Sequence, residues 1–183
     1  MATFAVPVRR SAFGTVPGVP GWARWAAHIA ALAALPSGLW RLPMAWGNPM
    51  GFEKSFMDDL HTPGWGSAYV VGLSLVAELF ALLTLGLIQP WGERFPQGMP
   101  WIGGRPILVK PVVIAAMTGA ALVALYNVGY LYTAIKNPAG SPTGADLWFM
   151  HACYAPMLAW PPLLAAVTIH YKRRRSCDPS QGR

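Results

Sequence analysis

Four blocks of apolar residues, each long enough to cross a bilayer as one helix, constrain this chain more than any motif in it. They run over about 24–46, 67–89, 110–134 and 146–171. A hydrocarbon core of ~30 Å takes roughly 20 helical residues, so each block predicts one membrane passage. The connecting pieces, 47–66, 90–109 and 137–145, are polar or rich in Gly and Pro. Of the 183 residues, 54% are hydrophobic and only 11% charged, too little charge to coat a soluble globule of this size. The expected fold is therefore all-α: an integral membrane four-helix bundle (22–172), with a leader (1–21) and a basic tail (173–183). The first block follows a Pro/Gly-rich stretch and has no small-residue cleavage pattern, so it is read as a retained helix.

The net charge of +7 does not point to nucleic acid, because the basic residues sit at block ends rather than on one face. They read as topology signals. Arg9, Arg10 and Arg24 precede the first block, and Arg94, Arg105 and Lys110 lie between the second and third. Lys172, Arg173, Arg174, Arg175 and Arg183 follow the fourth. Those eleven stand against Arg41, Lys54 and Lys136, which predicts N- and C-termini in the cytoplasm and a multi-pass protein of the inner (cytoplasmic) membrane. Cys153 and Cys177 have no C-x-x-C spacing, so neither a structural disulfide nor a thiol redox centre is expected.

Chemistry is sought in the polar groups that are costly to hold in a membrane. Glu78 lies at the midpoint of the second block. A carboxyl group there must face the bundle, pair or stay protonated, and its helical strip of Val71, Ser74, Ala81 and Leu85 is expected to face other helices. It serves either as a proton donor or as a neutral carboxyl bonding across the bundle. Arg41 is only ~24 Å of helix from Arg24. It therefore either turns into the bundle beside Ser37, Trp40 and Met44 or snorkels to the outer head groups. Tyr126, Asn127 and Tyr130 share one face of the third block, and His151 and Tyr154 one face of the fourth. An interfacial aromatic belt explains Tyr132 and Trp148, but Asn127 and His151 lie deeper. Together these residues predict a polar and aromatic cavity centred on Glu78 and extending toward the outer side.

His28 reads as a packing residue. Asp58, Asp59 and His61 share one loop, where three groups seldom make a metal site, so no metal is expected; with the loop folded back, Asp58 or Asp59 supplies a second acid, Asp59 being the one carried into the site. Gly103-Gly104 lacks the Lys-Ser/Thr of a phosphate loop. Pro161-Pro162 is expected to bend or interrupt the last helix and to free carbonyls that need partners.

A neutral carboxyl in a dry, aromatic pocket can donate a proton at pH 7 and shelter a carbocation from water. The runs P-S-G-L-W-R-L (36–42), L-S-L-V-A-E-L-F-A-L-L-T-L-G-L-I-Q-P-W-G-E (73–93) and Y-A-P-M-L-A-W-P-P-L-L (154–164) resemble those of small bacterial membrane proteins. That group is taken to include the membrane-bound terpene cyclases of indole sesquiterpenoid pathways of the drimentine and xiamycin types. The resemblance implies proton-initiated cyclisation of a prenylated aromatic, such as a farnesyl-indole alkene or epoxide, with no cofactor and with Glu78 as the acid. The chain has fewer spans than the seven of the related fungal meroterpenoid cyclases. In this reading His151, Asn127 and Arg41 orient the acid or take the final proton. Trp40, Ser74, Tyr126, Tyr130, Tyr154 and Trp160 form the walls around a lipophilic small molecule. The alternative is a transporter or accessory membrane subunit in which Glu78 carries a proton.

Overall fold

A computed structural model describes residues 14–95, 103–136 and 139–176. Among them all regular structure is helical: α1 (Gly21–Leu32), α2 (Leu35–Ala45), α3 (Lys54–Asp59), α4 (Trp65–Leu83), α5 (Val109–Lys136) and α6 (Gly144–Ser176). Three of these are long and apolar enough to cross a membrane: α4 with its extension to Leu87, α5 and α6.

The first expected span is not one helix. Pro36 has no N–H to give to the carbonyl of Leu32, and its ring crowds that carbonyl. The α-helix accordingly stops at Leu32, Ala33 turns back to Ala30 in a tighter turn, and α2 starts at Leu35. The fourth span departs in the opposite direction. Pro156, Pro161 and Pro162 all lie inside α6, which runs uninterrupted to Ser176 and takes Arg173, Arg174 and Arg175 into its last turn. The helix is not interrupted there, and for one of the three freed carbonyls a neighbouring helix supplies the missing donor. Asn127 Nδ2 on α5 donates to the Met157 carbonyl at 2.9 Å, the acceptor that Pro161 leaves without its helical N–H.

The packing inverts a soluble protein. Leu75, Val76, Leu79 and Phe80 on α4, and Leu122, Leu125 and Val128 on α5, are exposed, as are other large apolar side chains on every long helix. The buried residues are mostly small. Ala23, Ala26, Ala27, Ala30 and Ala31 let α1 lie close against α6 and α4. Helix α4 also packs on α2, where the Ser74 Cβ stands 3.8 Å from where a Cβ at Gly38 would sit. Helix α5 packs along α6. Helix α4 is thus held by α1 and α2 and α5 by α6, which leaves a gap between α4 and α5.

The two ends of the bundle are closed differently. After α2, the chain folds back through α3, which buries Met57 beside Trp40 and Met44. Gly51 sits there at φ +87°, and a Cβ on it would fall 2.6 Å from the Asp146 Cβ, so this loop can seat against the start of α6 only with glycine. At the other end, α4 tightens into 3₁₀ turns at Thr84–Leu87 and Pro90–Gly92. That segment is tied to α6 by Tyr171 (OH to the Gly92 carbonyl, 3.3 Å) and Arg174 (ion pair with Glu93, 2.6 Å). Cys153 is a free thiol, while Cys177 and the rest of the tail lie outside the described residues.

Candidate functional site

The gap between α4 and α5 is a cavity of about 910 Å³. Its walls are Leu73, Ala77 and Phe80 from α4 and Ala116, Leu122 and Val123 from α5. Met157, Trp160 and Leu164 of α6 form its back, and Trp91 and Phe95 close the end nearest Arg174. Arg41 and Tyr126 stand at the other end. Its volume lies near the top of the ~300–1,000 Å³ range of small-molecule sites. The wall is almost wholly apolar, and the flanking faces of both helices are those expected to meet lipid.

A second cavity of about 530 Å³ lies beyond that end, lined by Trp40, Phe52, Phe56, Tyr126, Tyr130 and Tyr154 among others. Tyr126 lines both cavities. Arg41 is buried, at 8% exposure, and turns inward rather than snorkelling. Its Nε donates to the Tyr154 hydroxyl at 2.9 Å and its NH2 to the Tyr126 hydroxyl at 3.3 Å, with the guanidinium carbon 5.1 Å from the Tyr154 ring centre. Ser37, Trp40 and Met44 are buried on the same face of α2, as their spacing predicts. Tyr154 stacks on Tyr130 with centroids 5.0 Å apart and meets the edge of Trp40 at 5.7 Å. The Tyr130 hydroxyl and His151 Nδ1 lie 2.5 Å apart in a hydrogen bond whose donor depends on the histidine tautomer. The expected polar and aromatic cluster thus exists, built from α2, α5 and α6, with Phe52 and Phe56 stacked over its far side.

Its centre is not Glu78. The strip of α4 that holds Glu78 does face other helices, with Ala81 fully buried and Leu85 packed against the core. That strip faces α1 and α2, however, and the hollow lies along the next face, through Leu73, Ala77 and Phe80. Glu78 is half-buried, lines neither cavity, and makes no hydrogen bond or ion pair among the described residues. A one-residue step round a helix turns a side chain by about 100°, which is the whole difference between Ala77 in the wall and Glu78 outside it.

Other expected site residues also sit apart from the hollows. Ser74 lines neither cavity and returns its hydroxyl to the Val70 carbonyl at 2.9 Å. Asn127 is buried and engaged with the α6 backbone. Asp59 ends α3 exposed, so the folded-back loop brings Phe52 and Phe56, not an acid, to the cluster. His28 is exposed, with Nδ1 2.7 Å from the Arg24 carbonyl, rather than packed in the bundle. Trp160, by contrast, lies in the back wall of the larger cavity. The sequence reading passed over the far end of that cavity, where Trp91 lies against Gly86: a Cβ there would come within 2.8 Å of the indole. The close pair of glycines at 86 and 92 around Trp91 was the signal for this turn.

No family model, curated protein or solved structure matches the chain.

Proposed function

We propose that this chain is a multi-pass protein of the cytoplasmic membrane that admits a lipophilic molecule sideways from the bilayer into the α4–α5 cavity and acts there as a cyclase. The observation that carries this reading is the cavity itself: about 910 Å³, apolar along its length, and set between two helices whose outer faces are greasy. Four passages are counted by taking the broken α1–α2 pair as the first, since Gly21 to Ala45 covers ~37 Å at 1.5 Å per residue. Eleven basic residues against three support cytoplasmic ends.

The substrate class is a prenylated aromatic such as a farnesyl-indole alkene or epoxide. A proton adds to the alkene carbon or epoxide oxygen, the cation closes on a neighbouring double bond, and a proton leaves to a base. Phe80, Trp91, Tyr126 and Trp160 offer ring faces that favour the cation, and the apolar wall excludes the water that quenches it. Glu78 is the only carboxyl group in the middle of the bundle, and to deliver the proton its side chain must turn past Ala77 into the hollow.

Incubating membranes that hold the wild-type chain with a farnesyl-indole epoxide is expected to yield cyclised product, and Glu78→Gln to cut turnover on the order of 100-fold or more. Undiminished turnover in the Gln variant removes Glu78 as the acid. No product from the wild-type chain over the background of empty membranes removes the cyclase.

A further inference from the structure

We infer that the molecule held in the α4–α5 cavity carries an oxyanion, a carboxylate or a phosphate, that pairs with Arg41. The inference rests on the cavity reading above and, within prenylated lipophiles, moves the substrate from an uncharged farnesyl-indole to one that bears an acidic group.

The starting point is a charge without a partner. Of the seven acidic residues, six are described, and none has an oxygen within 4.0 Å of Arg41; the ion pair found among the described residues is Arg174 with Glu93. The seventh, Asp178, lies outside the described residues. A buried cation in a membrane is costly unless paired. Snorkelling does not relieve it here, because the side chain is turned inward and held on Tyr154.

The two phenols do not discharge it either. A guanidinium has five N–H donors, and Tyr154 and Tyr126 accept one each, which leaves three. Phenol oxygens are neutral acceptors, so they orient the fork without cancelling its charge. NH1, which has no hydrogen-bond partner among the described residues, is not sealed off, and Arg41 lines the cavity wall. A planar fork fixed by two hydrogen bonds, with free N–H groups toward a hollow, matches the two oxygens of a carboxylate or phosphate.

The shape fits the same class. From Tyr126 to Val112, both in the wall, the cavity follows α5 for ~21 Å, about two-thirds of a hydrocarbon core. One prenyl or acyl chain laid along it, with its acidic end at Arg41, satisfies both the apolar wall and the lone charge.

The test uses the full chain in phosphatidylcholine nanodiscs with two photoreactive probes, diazirine-bearing palmitate and diazirine-bearing hexadecanol, and labelled positions mapped by mass spectrometry. Both probes are expected to label α4 and α5 around Phe80 and Leu122, with palmitate half-saturating at a concentration at least about 10-fold lower. Arg41→Gln is expected to erase that preference while leaving hexadecanol labelling in place, and Arg41→Lys to keep part of it. Should Arg41→Gln fail to fold, the wild-type acid-to-alcohol ratio and the Lys variant still decide. Leu122→Trp, which fills the hollow, is expected to reduce both labels. Competition by farnesyl phosphate as strong as that by unlabelled palmitate supports a general oxyanion site, and competition by only one of them assigns the head group. Equal affinity for acid and alcohol overturns the inference and leaves the cavity reading standing, as does an Arg41→Gln variant that keeps the preference. Absence of labelling by either probe, or cross-linked dimers in its place, overturns both.

Discussion

Two arginines, one toward each end of the bundle, Arg41 buried and Arg174 half-buried, meet opposite fates. Arg174 ends α6 in an ion pair with Glu93 at 2.6 Å, and its NH2 also donates to the Leu87 carbonyl at 3.3 Å. Arg41 sits among tyrosines with no carboxylate of the described residues within 4.0 Å. The first is charge-paired and fastens the α4–α5 connection to α6, with its Nε and NH1 buried and without a hydrogen-bond partner among the described residues. The second is an open arrangement, in which neutral groups aim a charge at a hollow. A buried ion pair is costly to break and an unpaired buried charge is costly to keep. The Arg174 end is therefore read as structural, and the Arg41 end as waiting for a partner.

Stability measurements can break this contrast. The largest effect is expected from Glu93→Gln, which leaves Arg174 uncompensated and is predicted to cost about 2–3 kcal/mol, below the fully buried range because both side chains keep some exposure. Arg41→Met, which replaces a lone cation with an apolar chain, is predicted to stay within about 1 kcal/mol of wild type or to stabilise. Reversible unfolding in mixed micelles reads both, and a larger loss for the Arg41 variant reverses the assignment of the two ends.

Asn127 sharpens the comparison between them, since it too supports α6 from a neighbour. Asn127→Leu leaves the Met157 carbonyl unpaired and is predicted to cost about 1–2 kcal/mol. In a Pro161→Ala background the backbone N–H regained at position 161 can take over that carbonyl, so the cost of Asn127→Leu is predicted to fall to a few tenths of a kcal/mol. Equal costs in both backgrounds show that the side chain does not serve the proline. Among the single substitutions that remove a hydrogen bond, the phenols have the smallest effects. Tyr154→Phe, at 2.9 Å from Arg41, is predicted to cost about 1 kcal/mol and Tyr126→Phe, at 3.3 Å, about half of that. A larger loss at Tyr126 places the main support of the guanidinium on α5 rather than α6.

Much of the Arg41 end was legible in residue spacing. Ser37, Trp40, Arg41 and Met44 fall three and four apart and are buried together, and Tyr130 meets His151 because two adjacent helices each place a polar residue about the same distance from their shared end. The Pro161-Pro162 expectation was right that a carbonyl would need a donor, which lies 30 residues away on another helix, and the helix is not interrupted there. Pro36 shows the converse: no such donor reaches the turn, and the first span breaks. Glu78 was correctly placed on a strip facing other helices, yet the hollow opens on the adjacent strip. Periodicity says which residues share a face; it does not say which of two interior faces is filled.

The sequence alone determined that the chain is helical and greasy, where the long helices lie, and which residues on each are too polar to be left in lipid. Only the tertiary structure decided where space remains and which charge goes without a partner. Apolar runs and helical spacing are properties of a single segment, set by backbone geometry and the cost of transfer from water. A cavity is a property of three or four segments at once, and its position depends on how closely small residues let each pair approach. Here alanines draw α1 against α6 and α4, α5 leans on α6, and the space left between α4 and α5 ends at Arg41.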